Sequence, residues 1–155
     1  MYKTILVPHA GTAAEDEALK HAIYAANDTS KIIILHIVEE IQYPPSFALS
    51  SSERNSLLKN IDEANEEIRK DMEKKMEKYT QQCKENGITS DARVMLGDAA
   101  EKIVDVVKKE KVDLIVMSKR RKLKGMKKLL SLGSVSRKVV ENVTCPVTLI
   151  DIENI

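Results

Sequence analysis

Tryptophan is absent from this 155-residue chain and phenylalanine occurs once. A core has therefore to be aliphatic, built from Ile, Val and Leu. No apolar run approaches the roughly eighteen residues of a membrane span, and Met1-Tyr-Lys-Thr-Ile-Leu-Val-Pro8 lacks the long apolar stretch of a signal peptide. A cytoplasmic protein is expected. Cys83 and Cys145 stand far apart with no CxxC spacing and no histidine partner at ligand spacing, which speaks against a zinc site or redox pair and for packed thiols. Charge of one sign is not in excess either: the net charge is +1, which says nothing about partners. Only its distribution is informative, because positive charge gathers in Lys119 to Lys128.

What is present is ordinary for a globular protein, with 32% charged and 43% hydrophobic residues. The length suits one domain over residues 1–155. Thr4-Ile-Leu-Val7, ended by Pro8, reads as a buried strand. Thr12 with Glu15 forms a capping box for a helix from about Ala13 to Ala26, with Ala18, His21 and Ala22 on its inner face. Lys31 to Val38 is the most β-prone stretch and suits a central parallel strand. Residues 39–55, with Pro44-Pro45 and Ser50-Ser-Ser52, read as a long, mobile loop.

Ser56 to Asn86 has the three-and-four spacing of an amphipathic helix, stopped by Gly87. Ile88 to Leu96 is a less apolar strand, as befits a sheet edge. Asp98 and Glu101 cap a helix through Ile103 and Val107. Val112 to Met117 is a second buried strand, Ser134 caps a helix through Val139, and Cys145 to Asp151 forms a last strand. Alternating strand and helix is the signature of a three-layer parallel α/β sheet. Ligands of such sheets bind beyond the carboxyl ends of the strands, where the winding reverses. Pro8 to Thr12, Val38 to Ile41 and Ser118 to Ser136 should converge there.

In order and spacing, Ile5-Leu-Val-Pro8, Glu17-Ala-Leu-Lys-His-Ala22, Leu35-His-Ile-Val38, Gly97-Asp-Ala-Ala100, Val112-Asp-Leu-Ile-Val-Met117, Leu132-Gly-Ser-Val-Ser136 and Cys145-Pro-Val147 resemble the universal stress protein family over essentially the whole chain. The resemblance implies a Rossmann-like, adenine nucleotide alpha hydrolase-like α/β/α fold with a five-stranded parallel sheet in the order 3-2-1-4-5. It implies a homodimer paired through the last strand, Val147 to Ile150. It also implies a ligand site drawn from Pro8, His9, Ala10, Val38, Gly97, Ser118, Arg121, Gly133, Ser134, Val135 and Ser136.

ATP-binding members of that family resemble a pattern of Gly, two residues, Gly, nine residues, then Gly-Ser or Gly-Thr, with an Asp in the first loop. Gly133-Ser134 matches the last part. Ser118 and Arg121 stand at the two earlier glycines, eleven residues separate Arg121 from Gly133, and Ala10 stands at the Asp. A side chain where a loop needs glycine costs about 1 to 3 kcal/mol or blocks the ligand. A lost charged hydrogen bond costs about 1.5 to 3 kcal/mol more, so conventional ATP binding falls by about a hundredfold. No cofactor is assigned, and ATP is the alternative ligand.

The cations of Lys119 to Lys128 partly compensate, since Arg grips phosphate bidentately, but such a loop is more often solvated surface. The resulting expectation is a non-enzymatic stress-response regulator with an altered site for a small anionic or nucleotide ligand. The alternative is an ATP-dependent switch with at most slow hydrolysis. No metal ligation is assigned, because His9, His21 and His36 do not share ligand spacing. His9 alone belongs at the sheet's carboxyl end and is the candidate to hydrogen-bond a nucleobase or phosphate. Gly133-Ser-Val-Ser136 is not a nucleophile elbow, and no Walker lysine follows the loop. The basic run carries no aromatic residue for base stacking, so no specific nucleic-acid partner is expected.

Overall fold

Successive side chains of a strand point to opposite faces, so a run that is apolar at every position has to be covered on both. The computed structural model describes residues 1–39, 49–119 and 132–151. In it, Ile5 and Val7 of β1 (Thr4–Pro8) and Ile32 and Ile34 of β2 (Lys31–Val38) enter one core, and Leu6, Ile33 and Leu35 enter the other. β4 (Leu114–Ser118) divides likewise, with Leu114 and Val116 on the first side and Ile115 and Met117 on the second.

α1 (Ala13–Ala25) and α2 (Ser51–Glu85) close the first core through Ala18, Leu19, Ala22, Met76, Tyr79 and Cys83. α3 (Ala99–Glu110) and α4 (Ser134–Asn142) close the second through Ile103, Val106, Val107 and Val139. Burying one such aliphatic side chain is worth about 1.5 to 3 kcal/mol. β3 (Thr89–Leu96) and β5 (Val147–Ile150) are the half-buried edges.

The sheet is parallel throughout and ordered β3-β2-β1-β4-β5, as expected. Winding therefore reverses between β1 and β4, which pair Ile5 with Leu114 and Leu6 with Ile115. A crevice opens beyond the carboxyl ends of those two strands.

Three local features differ from what the sequence suggests. Helix α2 begins at Ser51, not Ser56, so residues 51–55 of the expected loop are helical; residues 40–48 of that stretch lie outside the described residues. The Ser50 N–H and hydroxyl donate to Glu53 Oε2 at 2.8 and 2.5 Å, a capping box that extends the helix ahead of its apolar stripe. At α4 the N-cap is Gly133 and Ser134 is the first helical residue. Ser136 ties that turn instead, its hydroxyl donating to the Gly133 carbonyl at 3.0 Å. Finally, His21 is turned outward, half exposed and 3.9 Å from Glu17. At about 100° per residue it sits beside the stripe of Ala18, Leu19 and Ala22 and not within it.

Candidate functional site

Pro8 ends β1, and the next residue is held on every side. The His9 N–H donates to the Leu35 carbonyl at 2.8 Å, and His36 Nδ1 donates to the His9 carbonyl at 2.7 Å. Gly11, at φ +83°, turns its N–H onto His9 Nδ1 at 3.0 Å. Since Nδ1 accepts, the proton of the neutral ring belongs on Nε2. That nitrogen lies 3.2 Å from Asp16 Oδ1, in contact but off the line of a hydrogen bond. The ring packs on Tyr79 with centroids 3.9 Å apart. Burial holds the His9 pKa below its ordinary value of 6.5, against the opposing pull of Asp16 and Glu15.

Ser118 ends β4, and its hydroxyl donates to Glu15 Oε1 at 2.8 Å in a buried contact. The other oxygen of Glu15 accepts the Thr12 N–H at 3.2 Å and also the Thr12 hydroxyl. A cap of α1 is thereby fastened to the end of a strand 103 residues away. Glu15 is 4% exposed.

The third edge of the crevice is the start of α4. First-turn amides of a helix have no partner within it, and its dipole is positive there. Gly133, Ser134, Val135 and Ser136 line a cavity of about 590 Å³ together with Pro8, His9, Ala10, Glu15, Ser118 and Glu39. Leu35, Ile37, Ala99, Ile103, Met117 and Leu132 supply its apolar walls. Its size falls in the range of small-molecule sites, about 300 to 1,000 Å³.

Eight of the eleven expected site residues thus meet at this cavity: Pro8, His9, Ala10, Ser118, Gly133, Ser134, Val135 and Ser136. Val38 and Gly97 meet each other instead, the Gly97 N–H donating to the Val38 carbonyl at 3.0 Å. Arg121 lies outside the described residues, as does the basic run beyond Lys119. Lys119 itself reaches toward Asp151 at 3.5 Å. The His9 ring has no exposed side-chain surface and both its nitrogens face protein groups, so it forms a wall of the cavity. Glu15, unforeseen as a site residue, was visible only as the second half of the Thr12 capping box. Among the described residues, no three potential metal ligands come together, and no helix is long and apolar enough to cross a membrane.

The universal stress protein family model matches residues 1–151. A universal stress protein of Methanothermobacter thermautotrophicus is 34% identical over 151 residues, spanning 97% of this chain and 96% of that protein. The solved structure of MJ0577 is similar at a TM-score of 0.80 and 24% identity, covering 99% of each chain. An Arabidopsis thaliana universal stress protein family member solved with AMP bound is similar at a TM-score of 0.59 and 20% identity, covering 97% of this chain and 92% of that one. The two structural likenesses concern the fold. The match over residues 1–151 and the 34% identity concern descent, and by them the chain belongs to the universal stress protein family.

Proposed function

We propose that this universal stress protein is a non-enzymatic, cytoplasmic regulator of the stress response that acts as a homodimer and holds a small anionic or nucleotide ligand in the cavity beyond β1 and β4. The observation that carries the reading is the joining of apolar walls to the start of α4 in one cavity. Such a site suits a flat apolar body bearing one compact anionic group, placed at the amides of Gly133 to Ser136. The AMP held by the Arabidopsis thaliana neighbour is a ligand of that form. Departure from the nucleotide pattern at Ala10, Ser118 and Arg121 argues against ATP held in the usual way.

The second reading, an ATP-dependent switch with at most slow hydrolysis, is favoured by Gly133-Ser134, which heads α4 at the cavity. Thermal unfolding with AMP, and with ATP plus magnesium, separates the two. A ligand at ten times its Kd adds about 1.4 kcal/mol, a rise of about 3 to 6 °C in Tm. The rise is expected with millimolar AMP. A clear rise at micromolar ATP would put the second reading first, and no rise with either ligand would remove both.

A further inference from the structure

Most of the cavity lining is apolar or backbone, yet a buried carboxylate stands in it. Glu15 accepts from Thr12 N–H, from the Thr12 hydroxyl and from the Ser118 hydroxyl, so both its oxygens are held in place. Ionised carboxylates only accept, and all three of these contacts are donors turned onto the carboxyl. The carboxylate is also fixed in position. Thr12 holds it from the N-cap of α1 and Ser118 from the last residue of β4, so it has no swing away from a ligand.

An anionic group bound inside a cavity of about 590 Å³ lies close to that carboxylate. Any charge in a space of that size lies within about 8 to 10 Å of the carboxylate, where repulsion is only partly screened by the protein. One anionic group at the start of α4 is compensated by the helix amides and dipole. Among the described residues at the end of β4, further phosphates find no such compensation, since the Ser118 hydroxyl already serves Glu15 and Lys119 reaches toward Asp151.

We propose that Glu15, fastened by Thr12 and Ser118, sets the ligand class of this cavity, admitting ligands with a single phosphate-like group and turning away polyphosphates. The inference rests on the proposed function insofar as that reading places the ligand there. It names a residue and a rule of selection that the reading does not contain.

Calorimetric titration with AMP and with ATP, without magnesium, tests it on the natural chain and on Glu15→Gln, which keeps the size of the side chain and removes its charge. The natural chain should prefer AMP by about tenfold or more, and Glu15→Gln should raise ATP affinity relative to AMP by about tenfold. Ser118→Ala leaves the Thr12 contacts in place and releases only one side of the carboxylate. It should shift the ratio in the same direction by about threefold, and it carries the test if Glu15→Gln does not fold. An unchanged ratio in a folded Glu15→Gln, with AMP still bound, overturns the inference and leaves the proposed function standing. ATP binding by Glu15→Gln alone, the natural chain binding neither nucleotide, overturns both, because the natural cavity then fails to admit the single-phosphate ligand. Silence in all three proteins overturns both. Adding magnesium gives one more decisive outcome: ATP binding by the natural chain that needs the metal and vanishes in Glu15→Gln makes Glu15 a cation holder and overturns the inference.

Discussion

His9 is 2% exposed, with a ring that accepts a backbone N–H on one nitrogen and faces Asp16 with the other. Burial outweighs Asp16 and Glu15 and keeps the folded pKa below 6.5. The unfolded chain therefore binds this proton more readily than the folded one, and stability falls as pH drops through 6.5 toward the lower folded value. Urea midpoints measured from pH 7.5 down to pH 5 should decline in the natural chain. They should decline less in His9→Asn, which retains an acceptor for Gly11 and does not titrate; equal slopes in the two proteins would show that another group is responsible. The same residue marks the limit of sequence reading. Its position at the sheet's carboxyl end follows from Pro8 and the strand before it, but its partners come from α1, β2 and α2. The Glu15 to Ser118 bond was illegible for the same reason, since a capping box explains Glu15 without any distant partner.

At the scale of elements, strands were the most legible because Ile5 to Val7, Ile32 to Leu35 and Leu114 to Met117 are apolar on both faces. The start of α2 was not, because periodicity begins only where side chains pack. Ile61 is its first buried residue, and the turns before it are held mainly by the Ser50 and Glu53 box and by backbone hydrogen bonds. Local opening there needs little of the global unfolding free energy. Ser50→Ala should cost the helix end about 1 kcal/mol. It should speed hydrogen exchange at residues 54–58 about fivefold with little change in Tm, whereas a Tm drop of several degrees would mean that the first turns support the whole sheet.

At the scale of the molecule, β5 is the last strand at one edge of the sheet, Val147 to Ile150, and it is there that the proposed homodimer pairs. A charge placed on that edge opposes its own symmetry mate across a two-fold axis. Val147→Asp or Leu149→Asp should yield monomers; a variant that stays dimeric and folded would move the interface elsewhere. Strand order was readable in advance through family resemblance, whereas the meeting of the α4 start with Glu15 needed the folded chain.

The length of α2 bears on how such monomers are recognised. Thirty-five residues span about 52 Å of helix, twice the roughly 26 Å of the eight-residue strand β3 on which it packs. Tyr79 already touches His9 just past the end of β1, so the turns preceding it carry α2 beyond the carboxyl end of that strand. A body with such a spar drags more water and diffuses more slowly than a sphere of 17.4 kDa. On a sizing column a monomer would run ahead of its mass and pass for something larger, so mass has to be read from light scattering or sedimentation equilibrium, where shape does not enter.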